Sequence, residues 1–242
     1  MNLTERLRTL IRLWRYRLRD ESDSISFMRQ QPLAGRTMID VGANKGVYSY
    51  WMSRLAGPRG RVVAFEPQPD LRPKLDSLKQ TFRLNNLEII GKGLSSRPGS
   101  AEMRRMKPGD TSATIEPLAE SDPRRLGESI SVEIARLDEY CDQQGLRDVA
   151  FIKCDVEGHE LSVFEGARGV LEKQRPVLVF ECHHHEAESG ELFAYLTGLG
   201  YEGFFMHGAE RIPCARFAEF PYAKPRMRHR NYMFAHRDAP AR

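Results

Sequence analysis

Two short stretches combine the residue types that chemistry needs: Asp40-Val-Gly42-Ala43-Asn44-Lys45-Gly46 and Asp155-Val-Glu157-Gly-His159-Glu160. Each follows an apolar run, "TMI" in one case and "VAFIKC" in the other. The first reads as a strand entering a tight turn that opens a helix. Two glycines there let backbone approach a ligand with no Cβ in the way. The pattern is Gly42-x-Asn44-x-Gly46, not the Gly-x-Gly-x-x-Gly of dinucleotide enzymes. Asp40 adds negative charge at the mouth, which suits a ligand with a positive centre and an amino-acid end better than a pyrophosphate. Glu66 ends the next apolar run, "RVVAF", about 20 residues past the last glycine, where an acid can accept hydrogen bonds from a ribose diol. Together these residues fit S-adenosylmethionine better than NAD.

The remaining polar clusters have the same placement. Gly93-Leu94-Ser95 ends a third run, and Glu181-Cys-His183-His184-His185 ends a fifth, "RPVLVF". In an open parallel sheet, ligands bind beyond the carboxyl ends of the strands, near the point where strand order reverses. Five polar clusters at five strand ends predict one crevice.

The elements that would hold these residues follow from periodicity. Near-continuous apolar strands alternate with helices over about 45–56, 69–83, 160–173 and 187–199, and "YEGFFMH" and "RNYMFAHR" supply two closing strands. That pattern predicts an α/β fold: a mostly parallel sheet covered on both faces. Residues 97–130, rich in Pro, Gly, Ser and charge, predict irregular hairpin-like structure. Within them 107–118, "KPGDTSATIEPL", is the expected substrate-side flap.

Residues 3–19 place Leu3, Leu7, Leu10, Ile11, Trp14 and Leu18 at helical spacing with Arg between them. The expected role of this apolar face is packing on its own domain. The alternative is peripheral contact with a membrane surface through residues 1–20, for which Arg beside Trp and Leu is the right composition. Charge is concentrated at the ends. Residues 1–20 carry six Arg against Glu5 and Asp20, and 211–242 carry eight Lys and Arg against Glu219 and Asp238, which leaves the acidic excess in the body. Lys224, Arg226, Arg228 and Arg230 could recognise a phosphate or carboxylate on a substrate.

At 242 residues, 40% hydrophobic and 29% charged, the composition is that of a soluble globular protein. No apolar run approaches the roughly 18 residues of a membrane span. Arg recurs through the N-terminus, where a secretion signal would need an unbroken apolar core. Four cysteines without a Cys-x-x-Cys pair argue against disulfide and metal frameworks. The expected location is the cytoplasm, with the inner face of the membrane as the peripheral alternative.

Taken in order, "MIDVGANKGVYSYWMSR", "VVAFEPQP", "GLSS", "ARLDEYC" and "IKCDVEGHE" resemble the FkbM family of S-adenosylmethionine-dependent methyltransferases over roughly 38–185. The resemblance implies a class I methyltransferase fold, Rossmann-like and doubly wound, with a seven-stranded sheet whose last strand is antiparallel. This domain is expected over 31–242, with 1–30 as a helical extension. It also implies O-methylation of a sugar, glycan or natural-product hydroxyl. Carried over by position, Asp40, Gly42, Ala43, Asn44, Gly46 and Tyr48 would surround the methionine end. Glu66 and Pro67 would hold the ribose side, Leu94 and Ser95 would flank the adenine, and Asp155 and Glu157 would face the reaction centre.

A sugar hydroxyl is a poor nucleophile, so a base should assist its attack. Asp155, Glu157, His159, Glu181 and His183 are the candidates. A histidine tuned near neutrality is the usual choice, which favours His183, oriented by Asp155 or Glu181. Alternatively Asp155, Glu157, Glu181 and His183 could hold Mg²⁺ or Mn²⁺ to lower the hydroxyl pKa. The basic ends raise one rival, a nucleic-acid methyltransferase. It is disfavoured because aromatic and basic residues are not interleaved as stacking requires, so no nucleic-acid partner is expected. A non-catalytic cofactor-binding protein is a second rival, against which the intact acids and glycines argue.

Overall fold

The computed structural model describes residues 1–220 and 229–238; the side chains of His184 and His185 are outside that description. Among the described residues the chain opens with α1 (Leu3–Arg15). The helix begins in a capping box in which the Asn2 side chain accepts from the Glu5 amide and the Glu5 carboxylate accepts from the Asn2 amide. A π-helical turn, Tyr16–Asp20, leads into α2 (Ser22–Arg29). The alternating body follows: β1 (Thr37–Val41), α3 (Val47–Ala56), β2 (Arg61–Phe65), α4 (Arg72–Phe82) and β3 (Leu87–Ile90). A smaller unit holds β4 (Gly93–Leu94), β5 (Gly99–Arg105) and β6 (Glu128–Ala135). Next come α5 (Leu137–Gln143), β7 (Val149–Cys154), α6 (Glu160–Glu165), α7 (Arg168–Gln174), β8 (Val177–His183), α8 (His184–Ser189) and α9 (Glu191–Gly198). The chain closes with β9 (Tyr201–His207), β10 (Glu210–Pro213) and β11 (His229–His236).

The main sheet runs in the order β10-β9-β11-β8-β7-β1-β2-β3. β3, β2, β1, β7 and β8 are parallel, and β11 inserts antiparallel between β8 and β9. The α/β, mostly parallel sheet with an antiparallel last strand is as expected. One addition to the expected seven strands is β10, which forms an edge hairpin with β9. Its four residues are too few to show a period in sequence.

Strand residues alternate between two cores because successive side chains leave opposite faces of the pleat. Ile39, Val41, Val63, Phe65 and Ile152 join one buried cluster with α5–α9 residues such as Phe164 and Leu196. Met38, Val62, Ala64 and Phe151 join the other with Trp51 and Met52 of α3 and Leu13, Ile25 and Met28 of the N-terminal helices. Each fully buried Leu, Ile or Phe contributes about 1.5–3 kcal/mol.

β5 and β6 pair antiparallel, and β4 pairs parallel with β6, in a separate sheet. The hairpin expected over 97–130 is therefore present. The third run, expected to continue to Gly93-Leu94-Ser95 as one strand, divides between the two sheets at Gly91-Lys92.

The N-terminal helix departs from the expected packing. It buries Thr9 and Leu13, and Leu3, Leu7, Ile11, Trp14 and Leu18 stay exposed. The residues buried against the domain belong to the opposite side of the helix, where Trp51 Nε1 donates to the Leu13 carbonyl at 3.3 Å; of the exposed stripe, Trp14 touches the domain with one edge, at Trp51.

Candidate functional site

A cavity of about 570 Å³ opens at the carboxyl ends of β1, β2, β7 and β8. Strand order reverses there, because β1 pairs with β2 on one side and β7 on the other. The small sheet and the 107–118 segment roof it through Leu94, Met103, Ile134, Thr111, Ala113 and Ile115. That segment is tied down at two points: Gln68 Nε2 donates to the Asp110 carbonyl (2.9 Å), and Thr114 Oγ1 donates to the Glu157 carbonyl (2.9 Å). The expected flap thus lies over the crevice.

The glycine turn is built as a close approach. Gly42 has φ +72°, and a Cβ there would lie 1.9 Å from the Asp155 carbonyl oxygen. Gly42, Ala43 and Asn44 line the cavity. Gly46 has a different duty. It precedes α3 at φ +76°, and its missing Cβ makes room for Leu78 and Leu75.

Glu66 is buried at the end of β2 and faces the cavity. Its Oε2 accepts from the Asn44 amide (2.7 Å) and its Oε1 from the Gln68 amide (3.0 Å). Burial pushes its pKa up to about 7 in spite of those bonds. Each oxygen keeps a lone pair for a hydroxyl donor.

Asp40 corrects the expectation of a charge at the mouth. It is fully buried, accepts from Ser49 Oγ (2.5 Å), and faces Lys153 Nζ at 3.8 Å. Burial raises its pKa. Lys153 was not anticipated as a site residue, although it is the one charge inside the apolar "VAFIKC" run. Its ammonium donates to the Gly42 carbonyl (3.1 Å), pairs with Asp155 Oδ2 (3.3 Å), and lies over the Tyr48 ring (5.2 Å). Burial works against its charge, but Asp155 and Asp40 outweigh that and raise its pKa.

The side of the cavity toward β7, β8 and α2 is acidic. Glu21, at the entry to α2, accepts from Tyr48 OH (2.8 Å) and Asn231 Nδ2 (2.7 Å), and burial pushes its pKa up to about 7. Asp155, Glu157 and Glu181 line the same space.

His183, the expected base, lies outside the cavity lining. Its Nε2 faces Glu157 (3.4 Å) and its Nδ1 faces Glu186 (3.5 Å). Hydrogen bonding to Glu157 and then Glu186 raises its pKa to about 10. His159 lines the cavity, but its ring is held between Glu116 and Ser95 Oγ (2.8 Å). Ser95 therefore faces His159, and Leu94 alone of that pair lines the cavity.

A second histidine that lines the cavity beside an acid is His229, whose Nδ1 pairs with Glu181. The register explains the pairing. β11 places His229 opposite His183 and diagonal to Glu181 on the same face, within reach of a long side chain. The Glu181 contact raises the His229 pKa, and burial raises that of Glu181.

The metal alternative does not fit. Asp155 is engaged by Lys153, Glu181 by His229, and His183 by Glu157 and Glu186. Among the described residues no group of three or more His, Cys, Asp or Glu is arranged to hold a metal ion. Lys224, Arg226 and Arg228 lie outside the described residues. Arg230 stacks over Phe205, 4.2 Å from the ring centroid, and does not line the cavity.

The raised acids have a measurable consequence. A group with a higher pKa folded than unfolded contributes stability that is complete below the unfolded value and is lost as pH rises through the folded one. Glu21 and Glu66, at about 7, and Glu160, at about 8 from burial, all share that sign against an ordinary 4.5. The ligand-free protein should therefore melt at progressively lower temperature as pH rises from 4.5 to about 8. Calorimetric melting across that window checks it; a flat or rising profile would contradict it.

Comparison with known proteins agrees with this geometry. The chain is 28% identical over 174 residues, 71% of its length, to the hexuronic acid methyltransferase AglP of Haloferax volcanii. It is also 28% identical over 165 residues to the 2-O-methyltransferase NoeI of Sinorhizobium fredii. It spans 66% of the length of each of these two relatives. Its fold is like that of methyltransferase FkbM from Methylobacillus flagellatus, with a TM-score of 0.54 at 17% identity over 85% of this chain and 45% of that one. The methyltransferase FkbM domain matches residues 40–202, a span that holds the glycine turn, Glu66, the roofing segment and the acids after β7 and β8. With two thirds of its length in that match, and the site formed where the fold requires, the chain belongs to the FkbM methyltransferase family.

Proposed function

We propose that this protein moves a methyl group from S-adenosylmethionine to a hydroxyl of a sugar, glycan or natural-product acceptor. The observation that carries the reading is one cavity with two unlike ends. The glycine turn beside a buried Glu66 lies at one end, and a carboxylate-held imidazole, His229, lies at the other. The names of the relatives that act on a hexuronic acid or at a 2-O position support the acceptor class.

Glu66, fixed by the Asn44 and Gln68 amides, would accept the ribose hydroxyls. Pro67, Leu94, Met103 and Ile134 offer apolar surface for the adenine. Gly42, Ala43, Asn44 and Tyr48 would border the methionine end, with Asp155 and Glu157 toward the reacting centre. When bound, the sulfonium supplies an already activated methyl. The protein's share is then placement, which can contribute about 7–11 kcal/mol, and proton removal.

His229 would accept the acceptor's proton at the ring nitrogen away from Glu181, which fixes the tautomer and steadies the charge that forms. Arg12 and Lys45 also line the cavity, and among the described residues neither makes an ion pair. Burial, then Arg12, Lys74 and Lys107, lower the Lys45 pKa. That cationic wall suits a carboxylate, on the donor or on the acceptor.

The same proposal takes 31–242 as the catalytic domain and 1–30 as an extension whose Glu21 completes the site. It places the protein in the cytoplasm, at the inner face of the membrane.

Calorimetry with S-adenosylhomocysteine tests the donor. Binding is expected, and Glu66→Gln should weaken it by about 10–100-fold through the loss of charged hydrogen bonds. If the unaltered protein does not bind, the reading fails. Labelled S-adenosylmethionine with fractionated glycans and lipids, followed by mass spectrometry, then identifies the acceptor.

A further inference from the structure

Six of the eight large hydrophobic residues exposed on the described surface lie between Met1 and Leu18. Leu3 is 82% exposed, Leu7 57%, Ile11 60%, Trp14 45% and Leu18 65%. Their spacing of four, four, three and four residues puts them on one face. The stripe is held firmly. Trp14 packs edge-on against Trp51 at 5.5 Å, and the Arg17 guanidinium lies over both rings at 4.6 and 4.7 Å. Arg6, Arg8, Arg15 and Arg19 are exposed around it, and the only acids in residues 1–20 are Glu5 and Asp20. The opposite side of the same segment faces the cavity through Arg12, Tyr16 and Glu21.

We infer that α1 docks this protein on an anionic lipid surface and brings the cavity to that surface, so that the acceptor is a lipid-linked saccharide or amphiphile. The acceptor class rests on the proposed methyl transfer; the docking does not. An apolar stripe of Leu, Ile and Trp with arginines beside it fits the boundary between lipid headgroups and acyl chains, and each arginine near an anionic surface adds attraction. A second copy is the poorer occupant, because a two-fold contact would bring two arginine-rich faces together. No helix among the described residues is long and apolar enough to cross a membrane, so the contact is of the surface-lying kind.

The test is sedimentation of the full chain with vesicles of phosphatidylcholine alone, or of phosphatidylcholine mixed with phosphatidylglycerol. Binding to the mixed vesicles should be at least roughly tenfold tighter and should weaken with salt. Leu7→Glu/Ile11→Glu changes two exposed side chains to a good helix former, so the helix is kept. It should lose vesicle binding by roughly tenfold or more while its affinity for S-adenosylhomocysteine is unchanged. Leu7→Ser/Ile11→Ser should lose it too, which separates lost apolar contact from added charge. Equal sedimentation of the native and altered chains, or none with either, overturns the inference. So does a concentration-dependent dimer, seen by light scattering, that Leu7→Glu/Ile11→Glu abolishes. Failure to bind S-adenosylhomocysteine would remove the methyl-transfer reading and leave the vesicle result standing.

Discussion

Replacing His229 with glutamine is expected to lower the rate of methyl transfer by about 10²–10⁴-fold, the range for a positioned general base. Affinity for S-adenosylhomocysteine should hold, because the imidazole is at the acceptor end and Glu66 at the donor end. Glu181→Gln should act in the same direction, since the carboxylate holds the imidazole by Nδ1. The pH dependence is a second signature. Glu181 raises the His229 pKa above its ordinary 6.5, so the base is freed of its proton only as pH climbs past that value. The rate should therefore rise with pH, and the rise should move to lower pH in Glu181→Gln. His183→Gln should cost less, because His183 lies outside the cavity lining and both its ring nitrogens face carboxylates. Single-turnover transfer of a labelled methyl group decides between them. If His183→Gln abolishes the reaction and His229→Gln does not, the base is misassigned.

The second large effect is on stability. Lys153→Met should lower the free energy of unfolding by about 3–5 kcal/mol, the cost of removing one partner of a buried ion pair. The charge left behind is Asp40, which is fully buried and whose Oδ1 has no hydrogen bond of its own. Asp155 loses its partner as well, and the Gly42 carbonyl loses a donor, so the glycine turn should loosen along with the core. Asn at position 40 removes the stranded charge, so Asp40→Asn/Lys153→Met should recover much of the loss. Urea denaturation of the native chain and the two variants reads this directly. A midpoint for Lys153→Met equal to that of the native chain would show that the pair contributes nothing.

The proposed donor end was more legible in sequence than the proposed acceptor end, for a physical reason. Gly42, Asn44 and Glu66 sit within or just after parallel strands buried on both faces. Such strands appear as unbroken apolar runs, and the next polar residue marks the edge of the crevice. The acceptor end is assembled by antiparallel pairing. Glu181 was visible as a strand-end acid, but its partner comes from β11, whose register against β8 no local pattern announces. The run of three histidines drew attention to His183, while pairing chose His229.

Asp40 and Lys153 show the same limit. As a sequence, "MIDVG" has a charge near a turn; in the fold, the pleat turns that charge inward onto Ser49 and Lys153.

The amino-acid sequence by itself determined the alternation of strands and helices, the glycine turn, the acid that ends β2 and the amphipathic character of residues 3–19. Those are properties of spacing over a few residues, where backbone geometry and periodicity speak directly. The tertiary structure decided which histidines line the cavity, which acids are buried there, and which side of the first helix meets the domain. The last outcome ran against expectation. The helix buries Thr9 and Leu13 and directs Arg12 to the cavity, leaving its apolar stripe to solvent. An amphipathic pattern specifies that a face will be covered, but what covers it depends on surfaces distant in the chain.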